Sequence, residues 1–98
     1  MKLNMSYAKV TRGGLNLENV DLDELVLNDA EIRGDIILAN ANIFKLDLTQ
    51  TKLKGVLDLR GANIVSCVGS DGVRFGSYLT DSETKLPSNL KNYLDNYY

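Results

Sequence analysis

Apolar residues recur every five positions through the middle of the chain. The equally spaced residues are Leu17, Leu22, Leu27, Ile32 and Ile37, then Ile43, Leu48 and Leu53, then Leu59 and Ile64. Single-residue insertions near Asn40 and Val56 reset the count. A period of five fits neither the 3.6-residue turn of an α-helix nor the two-residue alternation of a flat strand. The pattern therefore predicts a chain that turns a corner about every five residues.

A second repeat, 21 residues long, contains the first. Residues 15–35, 36–56 and 57–77 align so that apolar columns and one glycine column agree. The columns are Leu17, Leu38 and Leu59; Val20, Ala41 and Ala62; Leu22, Ile43 and Ile64; Leu25, Leu46 and Cys67; and Gly34, Gly55 and Gly76. A fixed period of this length indicates stacked coils. The glycine column predicts a recurring corner with an unusual φ, and the regularity of the third line stays open.

Short segments around the apolar centres carry a family signature. They are Val20-Asp21-Leu22, Ala30-Glu31-Ile32, Ala41-Asn42-Ile43, Leu46-Asp47-Leu48 and Ala62-Asn63-Ile64. This order of a small residue, Asp or Asn, and Leu resembles the pentapeptide-repeat family. The resemblance implies an all-β solenoid, a right-handed quadrilateral β-helix of about three coils. A leucine-rich repeat fits less well, because its expected Asn is absent at Ala30 and Thr51.

The two ends differ in character from the repeat. We expect one domain over residues 1–98, with an N-terminal cap or partial coil at 1–14, coils at 15–81, and a short C-terminal α-helix within 82–98. One face of that helix is apolar and aromatic, with Leu90, Tyr93, Leu94 and Tyr97. Two roles stay open for it. The helix is either a lid on the last coil or, as the family resemblance implies, the contact of a homodimer.

The composition of the chain limits the location and the kinds of functional site that we expect. No apolar run is long enough to span a membrane and no signal peptide is evident, so a soluble, cytoplasmic protein is expected. The chain has no histidine, the commonest general base and metal ligand, and we expect no enzyme, metal or cofactor. The single cysteine, Cys67, has apolar neighbours and is predicted to be a buried structural thiol. The single Gly69-Ser70-Asp71-Gly72 segment is predicted to be a turn and not a calcium site, because such sites need stacked copies.

Negative charge is concentrated in residues 15–35. This line holds seven carboxylates against Arg33, so its charge is -6 in a chain of net charge -2. The predicted partner-binding acidic surface is Glu18, Asp21, Asp23, Glu24, Asp29, Glu31 and Asp35. An acidic end on a rod attracts proteins whose basic grooves hold DNA.

Members of the resembling family inhibit DNA gyrase by imitating duplex DNA. The chain is accordingly predicted to be a non-catalytic, DNA-mimicking inhibitor of a nucleic-acid-handling protein, of a phage anti-defence, anti-CRISPR or gyrase-directed type. Its partner would be a protein, with no direct contact to nucleic acid or membrane. The alternative is a general protein-protein interaction module or scaffold. The sequence pattern leaves the identity of the partner open.

Overall fold

The computed structural model describes residues 1–97 as a β-solenoid of about four turns that ends in one short helix. The strands are β1 (Lys2–Asn4), β2 (Lys9–Val10), β3 (Leu15–Asn16), β4 (Asp21–Val26), β5 (Glu31–Ile32), β6 (Ile36–Ile37), β7 (Asn42–Asp47), β8 (Lys52–Leu53), β9 (Val56–Asp58), β10 (Asn63–Val68) and β11 (Ser77–Leu79). A 3₁₀ turn follows β10 at Ser70–Gly72, and helix α1 spans Ser88–Asp95. The predicted solenoid with a C-terminal helix is confirmed.

The strands form three parallel sheets that run along the solenoid axis. Their orders are β1-β4-β7-β10, β3-β6-β9-β11 and β2-β5-β8. Asp21 pairs with Asn42, and Asn42 pairs with Asn63, so successive coils are offset by 21 residues. In the first coil, β1 and β2 are offset by 22, because Lys2 pairs with Glu24 and Lys9 with Glu31, whereas Leu15 of β3 pairs with Ile36 at the offset of 21. The repeat seen in the sequence is therefore the register of the stack.

Each coil has four sides, which follow from the alternation of buried and exposed residues. In the third coil, inward side chains come in pairs with one residue between them, at 41–43, 46–48, 51–53 and 57–59. At least two consecutive residues remain partly or fully exposed between those sides. The core residues of this coil are 5% exposed or less, and they are Ala41, Ile43, Leu46, Leu48, Thr51, Leu53, Leu57 and Leu59.

The predicted count, about three coils after an N-terminal cap or partial coil at 1–14, differs slightly from the structure. The structure has about four turns because the first twenty residues supply β1, β2 and β3, one strand for each sheet. Met5, Ala8 and Val10 take inward positions there in place of Leu and Ile. These residues and the 22-residue offset hide the first coil from a search for equally spaced Leu and Ile.

Glycine recurs at positions 34, 55 and 76 for a different physical reason from the predicted one. The φ angles of Gly34, Gly55 and Gly76 are not positive, so the expected unusual φ is wrong. These glycines lie where stacked corners approach closely, and a Cβ at Gly34 would lie 1.5 Å from the carbonyl oxygen of Gly13. Positive φ occurs at two other corners, in the column of Asn19, Asn40 and Gly61 and in the column of Tyr7, Asp29 and Gln50. Asn and Gly tolerate this left-handed conformation better than other residues.

The last coil is regular on two sides only. Strand β10 pairs along its length with β7, and β11 pairs with β9. On the third side the 3₁₀ turn Ser70–Gly72 replaces a full strand, and a single bridge joins Arg74 to Lys52. Gly69 and Gly72, which belong to the third line of the repeat, lie on this irregular side.

Helix α1 closes the end of the last coil. Leu90 is fully buried and Leu94 is 2% exposed, and both belong to the apolar core. The Tyr97 hydroxyl donates a hydrogen bond to the carbonyl oxygen of Phe75 at 2.7 Å. The two rings stack with their centroids 4.0 Å apart. The helix is thus part of the core of this chain.

Candidate functional site

The seven predicted acidic residues lie around the circumference of the solenoid and do not share one surface. Asp21, Asp23 and Glu24 belong to β4, Glu31 belongs to β5, and Asp35 lies at the corner before β6. Glu18 and Asp29 occupy other turns. Most of this set belongs to the second coil, which lies between the first and the third and is therefore not an end of the rod. Only the three residues of β4 come together on one sheet.

Basic residues of the neighbouring coils face several of these carboxylates. In the ladder of β2, β5 and β8, Glu31 stands between Lys9 and Lys52. On the sheet with the longest strands, the Lys2 ammonium lies 3.7 Å from a carboxylate oxygen of Glu24. Opposite charges at directly paired positions stabilise a sheet modestly. They also reduce the negative potential that the acidic coil presents to a partner.

Two more of the acidic residues make contacts that hold the coil itself. Asp35 accepts a hydrogen bond from the backbone N–H of Val56 at 2.7 Å, which links successive coils. Asp23 pairs with the N-terminal ammonium of Met1. Within residues 1–97, Asp21 makes no ion pair, and its side chain is exposed.

The outer surface of β1, β4, β7 and β10, here called the broad face, is the most distinctive surface of the molecule. It is wide because β4, β7 and β10 each contain six residues. Phe44 on β7 and Val65 on β10 are 64% and 54% exposed. Their register places them in one column with Asp23. The column borders a shallow groove lined by Asp21, Leu22, Asp23, Asn42, Ile43, Phe44, Asn63 and Val65.

The candidate site is this groove with its apolar column. The sequence analysis named Asp21 and Asp23 but missed Phe44 and Val65. Each of the two follows directly after an inward centre, Ile43 or Ile64, at a position that points outward. An aromatic residue at an outward position of the repeat is the signal that could have identified them, because exposed apolar patches mark interaction surfaces.

The residues predicted as lid or dimer contacts, on α1 and just after it, all pack against the solenoid. Leu90 and Leu94 are buried, while Tyr93 and Tyr97 are half-buried. The Tyr93 hydroxyl donates to the carbonyl oxygen of Val73 at 2.8 Å and lies 3.1 Å from a guanidinium nitrogen of Arg74. The homodimer stays a prediction.

The pKa shifts of Cys67 and Asp58 are explained by burial and by a hydrogen bond within the fold. Burial raises the pKa of the Cys67 thiol to about 12, and the charge of Asp47 adds to the effect. The side-chain hydrogen bond from Arg60 lowers the pKa of Asp58.

Residues 1–97 contain no group of three or more His, Cys, Asp or Glu placed to hold a metal ion. No helix in the same part of the chain is long and apolar enough to cross a membrane.

Comparison of the chain with protein-family models, with curated proteins and with solved structures returns no significant match. The architecture is that of a β-helix repeat protein, with parallel strands stacked in register over successive coils. The function is therefore argued from the surface of the fold.

Proposed function

We propose that this chain is a non-catalytic protein-binding protein that contacts its partner through the broad face. The observation that supports this proposal is the exposed pair Phe44 and Val65, flanked by Asp21 and Asp23. Specific interfaces combine an apolar, often aromatic centre with a polar rim, and a few central residues supply most of the binding energy. The broad face has this composition.

The chemistry of the groove defines the partner. Asp21 and Asp23 supply carboxylates, and Asn42 and Asn63 supply amides that donate and accept hydrogen bonds. A protein with an apolar pocket surrounded by Lys or Arg would complement this surface. The charges would speed encounter and set the orientation, while burial of Phe44 would supply most of the affinity.

DNA mimicry is the narrower form of this proposal. Duplex DNA carries about one charge per 1.7 Å of its axis, so a mimic needs carboxylates at successive levels of the rod. Here Glu31 alternates with Lys9 and Lys52 along the axis. The negative charge is thus concentrated in one coil. We therefore place a general protein-interaction module ahead of an anti-CRISPR or gyrase-directed DNA mimic.

Membership of the pentapeptide-repeat family is also a proposal. It is supported by the four-sided coil, in which inward residues pair across one outward residue at 41–43, 46–48, 51–53 and 57–59. The family resemblance further implies a right-handed coil, and parallel crossover connections are right-handed in about 98% of cases.

The test is photocrosslinking from defined positions. A benzoylphenylalanine in place of Phe44 reports on the broad face, and the same residue in place of Lys54, exposed at a corner away from that face, is the control. We expect a discrete protein adduct from position 44 and none from position 54. Asp21→Lys with Asp23→Lys should reduce the adduct about tenfold, because each reversal replaces an attraction by a repulsion.

The control variant for charge is Lys54→Glu, which should leave the adduct unchanged. Loss of the adduct in excess duplex DNA would favour the DNA mimic, and indifference to DNA would favour the general module. Identical crosslinks from positions 44 and 54, or an adduct from position 44 that survives both Val65→Ser and the double charge reversal, would contradict a site on the broad face.

A further inference from the structure

Within residues 1–97, nothing covers the N-terminal end of the solenoid, which is formed by residues 1–20 and is here called the open end. Strands β1, β2 and β3 are terminal strands of the three sheets, and within residues 1–97 each pairs on one side only. The inward side chains of this coil are half-exposed, and they are Leu3, Met5, Ala8, Val10, Leu15, Leu17 and Val20. Their equivalents one coil higher are 2% exposed or less, and include Leu25, Leu27, Ile32, Ile36 and Leu38.

The open end combines two features that favour the addition of another strand. The free edges of β1, β2 and β3 present unpaired backbone N–H and C=O groups, which are a template for strand pairing. The half-exposed apolar residues offer surface whose burial is favourable. Solenoids usually need a terminal repeat with a polar outer face. The apolar axis of this coil has no such covering in residues 1–97.

The rim of the open end is basic. Residues 1–20 contain Lys2, Lys9 and Arg12 against one acidic residue, Glu18. On the side that is covered, Lys2 faces Glu24 and Lys9 faces Glu31, both from the acidic second coil. A strand added on the free side would meet the same lysines, so an acidic strand complements it by the same pairing.

A second copy of the chain fits this end less well. An end-to-end pair would bring two basic coils together, each with Lys2, Lys9 and Arg12 against the single carboxylate of Glu18. Like charges at close cross-strand positions destabilise a sheet. Charge complementarity therefore selects an acidic partner over self-association.

We propose that the open end binds an acidic, extended segment of a partner protein, which adds as a strand to the free edges of β1 and β2. Backbone hydrogen bonds to the edges would supply affinity, and alternate side chains of the segment would supply specificity. Apolar side chains would cover Leu3 and Val10, and carboxylates would lie beside Lys2 and Lys9. The site is at the axial end, so it does not depend on the proposal for the broad face.

The probe is a synthetic peptide with the sequence of residues 20–32, VDLDELVLNDAEI. This segment already pairs with β1 and β2 from the covered side, so its spacing of carboxylates matches the two lysines. The control peptide has Lys in place of every Asp and Glu. We expect saturable binding of the fluorescent acidic peptide by anisotropy, slower amide hydrogen exchange over residues 2–16, and no binding of the basic peptide.

Matched charge reversals locate the site. Lys9→Glu with Arg12→Glu should weaken binding of the acidic peptide about tenfold, because two attractions become repulsions. Lys52→Glu with Lys54→Glu makes the same change in the third coil and should leave binding unchanged. Circular dichroism and thermal melting check that both pairs fold. If the first pair does not fold, the comparison of the two peptides on the wild-type chain decides the question.

Three results would overturn the proposal. Equal binding of the acidic and basic peptides would remove the charge argument. Slower exchange confined to residues 63–68 would place the peptide elsewhere. A dimer at micromolar concentration by sedimentation, with residues 2–16 protected before any peptide is added, would show that a second copy occupies the open end.

Discussion

The two ends of this solenoid are built from similar coils but reach different degrees of burial. At the C-terminal end, helix α1 covers the last coil with Leu90 and Leu94, which are 0% and 2% exposed. The inward residues of that last coil, Ile64, Val73 and Phe75, are 7% exposed or less. At the open end, the inward residues Leu3, Val10 and Leu17 have no such cover within residues 1–97 and are only half-buried. The comparison shows that an inward residue is buried by the neighbouring coil or cap. An inward position within its own coil is not enough to bury a side chain.

The largest expected effect tests how tightly the first coil packs on the second. Gly34→Ala would place a Cβ 1.5 Å from the carbonyl oxygen of Gly13. We expect a loss of unfolding free energy on the order of 4 kcal/mol, because backbone must move. Gly76→Ala, where the nearest atom is 3.0 Å away, is the matched control at the covered end. It should cost about 1 kcal/mol in urea unfolding. Equal losses of unfolding free energy in the two variants would mean that the first coil is only loosely packed on the second.

The next effect compares leucines at the two ends. Leu90→Ala removes a fully buried side chain and should cost about 3 kcal/mol in urea unfolding. Leu17→Ala removes a half-exposed one and should cost about 1 kcal/mol. If Leu17→Ala proves as costly as Leu90→Ala, the open end is covered in solution and the contrast between the ends does not hold.

A smaller effect concerns the hydroxyls of two tyrosines. Tyr97→Phe removes a hydroxyl that donates to Phe75 O at 2.7 Å and accepts from Phe75 N at 3.2 Å. We expect a loss of about 1 kcal/mol in thermal or urea unfolding. Tyr7→Phe at the open end is the control, because Tyr7 is 70% exposed, and its change should stay below about 0.5 kcal/mol. If Tyr97→Phe and Tyr7→Phe lose equal unfolding free energy, the C-terminal lid lies elsewhere in solution.

The smallest effect on the fold concerns the reactivity of the Cys67 thiol towards an alkylating reagent. The pKa of Cys67 is about 12, so its thiol stays protonated at pH 8. Thiolates are the reactive form. We expect iodoacetamide to modify Cys67 about 100-fold or more slowly than a cysteine at the open end made by Thr11→Cys in a Cys67→Ser background. Equal rates, measured by mass spectrometry on the folded chains, would contradict the burial of this thiol.

The raised pKa of Cys67 also sets a direction for stability. Above pH 9 the unfolded thiol loses its proton while the folded one keeps it. The folded state then binds more protons than the unfolded state, so the contribution of this group to stability falls as pH rises from 9 towards 12. The Cys67→Ser chain is the control and should lack this part of the pH dependence.

The sequence by itself determined the repeat and its axis. The spacing of Leu22, Ile43 and Ile64 anticipated the register of the long-strand sheet, because stacked coils bring identical positions together. The amphipathic helix was also readable from its apolar residues. These features depend on which side of the backbone a side chain takes, and that is a local property of the pattern.

Only the tertiary structure decided what the outward residues meet. It grouped Asp23, Phe44 and Val65 in one column, distributed the acidic residues around the second coil, and left the first coil open. The close approach at Gly34 is likewise invisible in the sequence, because the carbonyl oxygen it meets lies 21 residues away on Gly13. The repeat specifies that a residue points outward or inward, but its neighbours and its burial depend on the coils stacked above and below it.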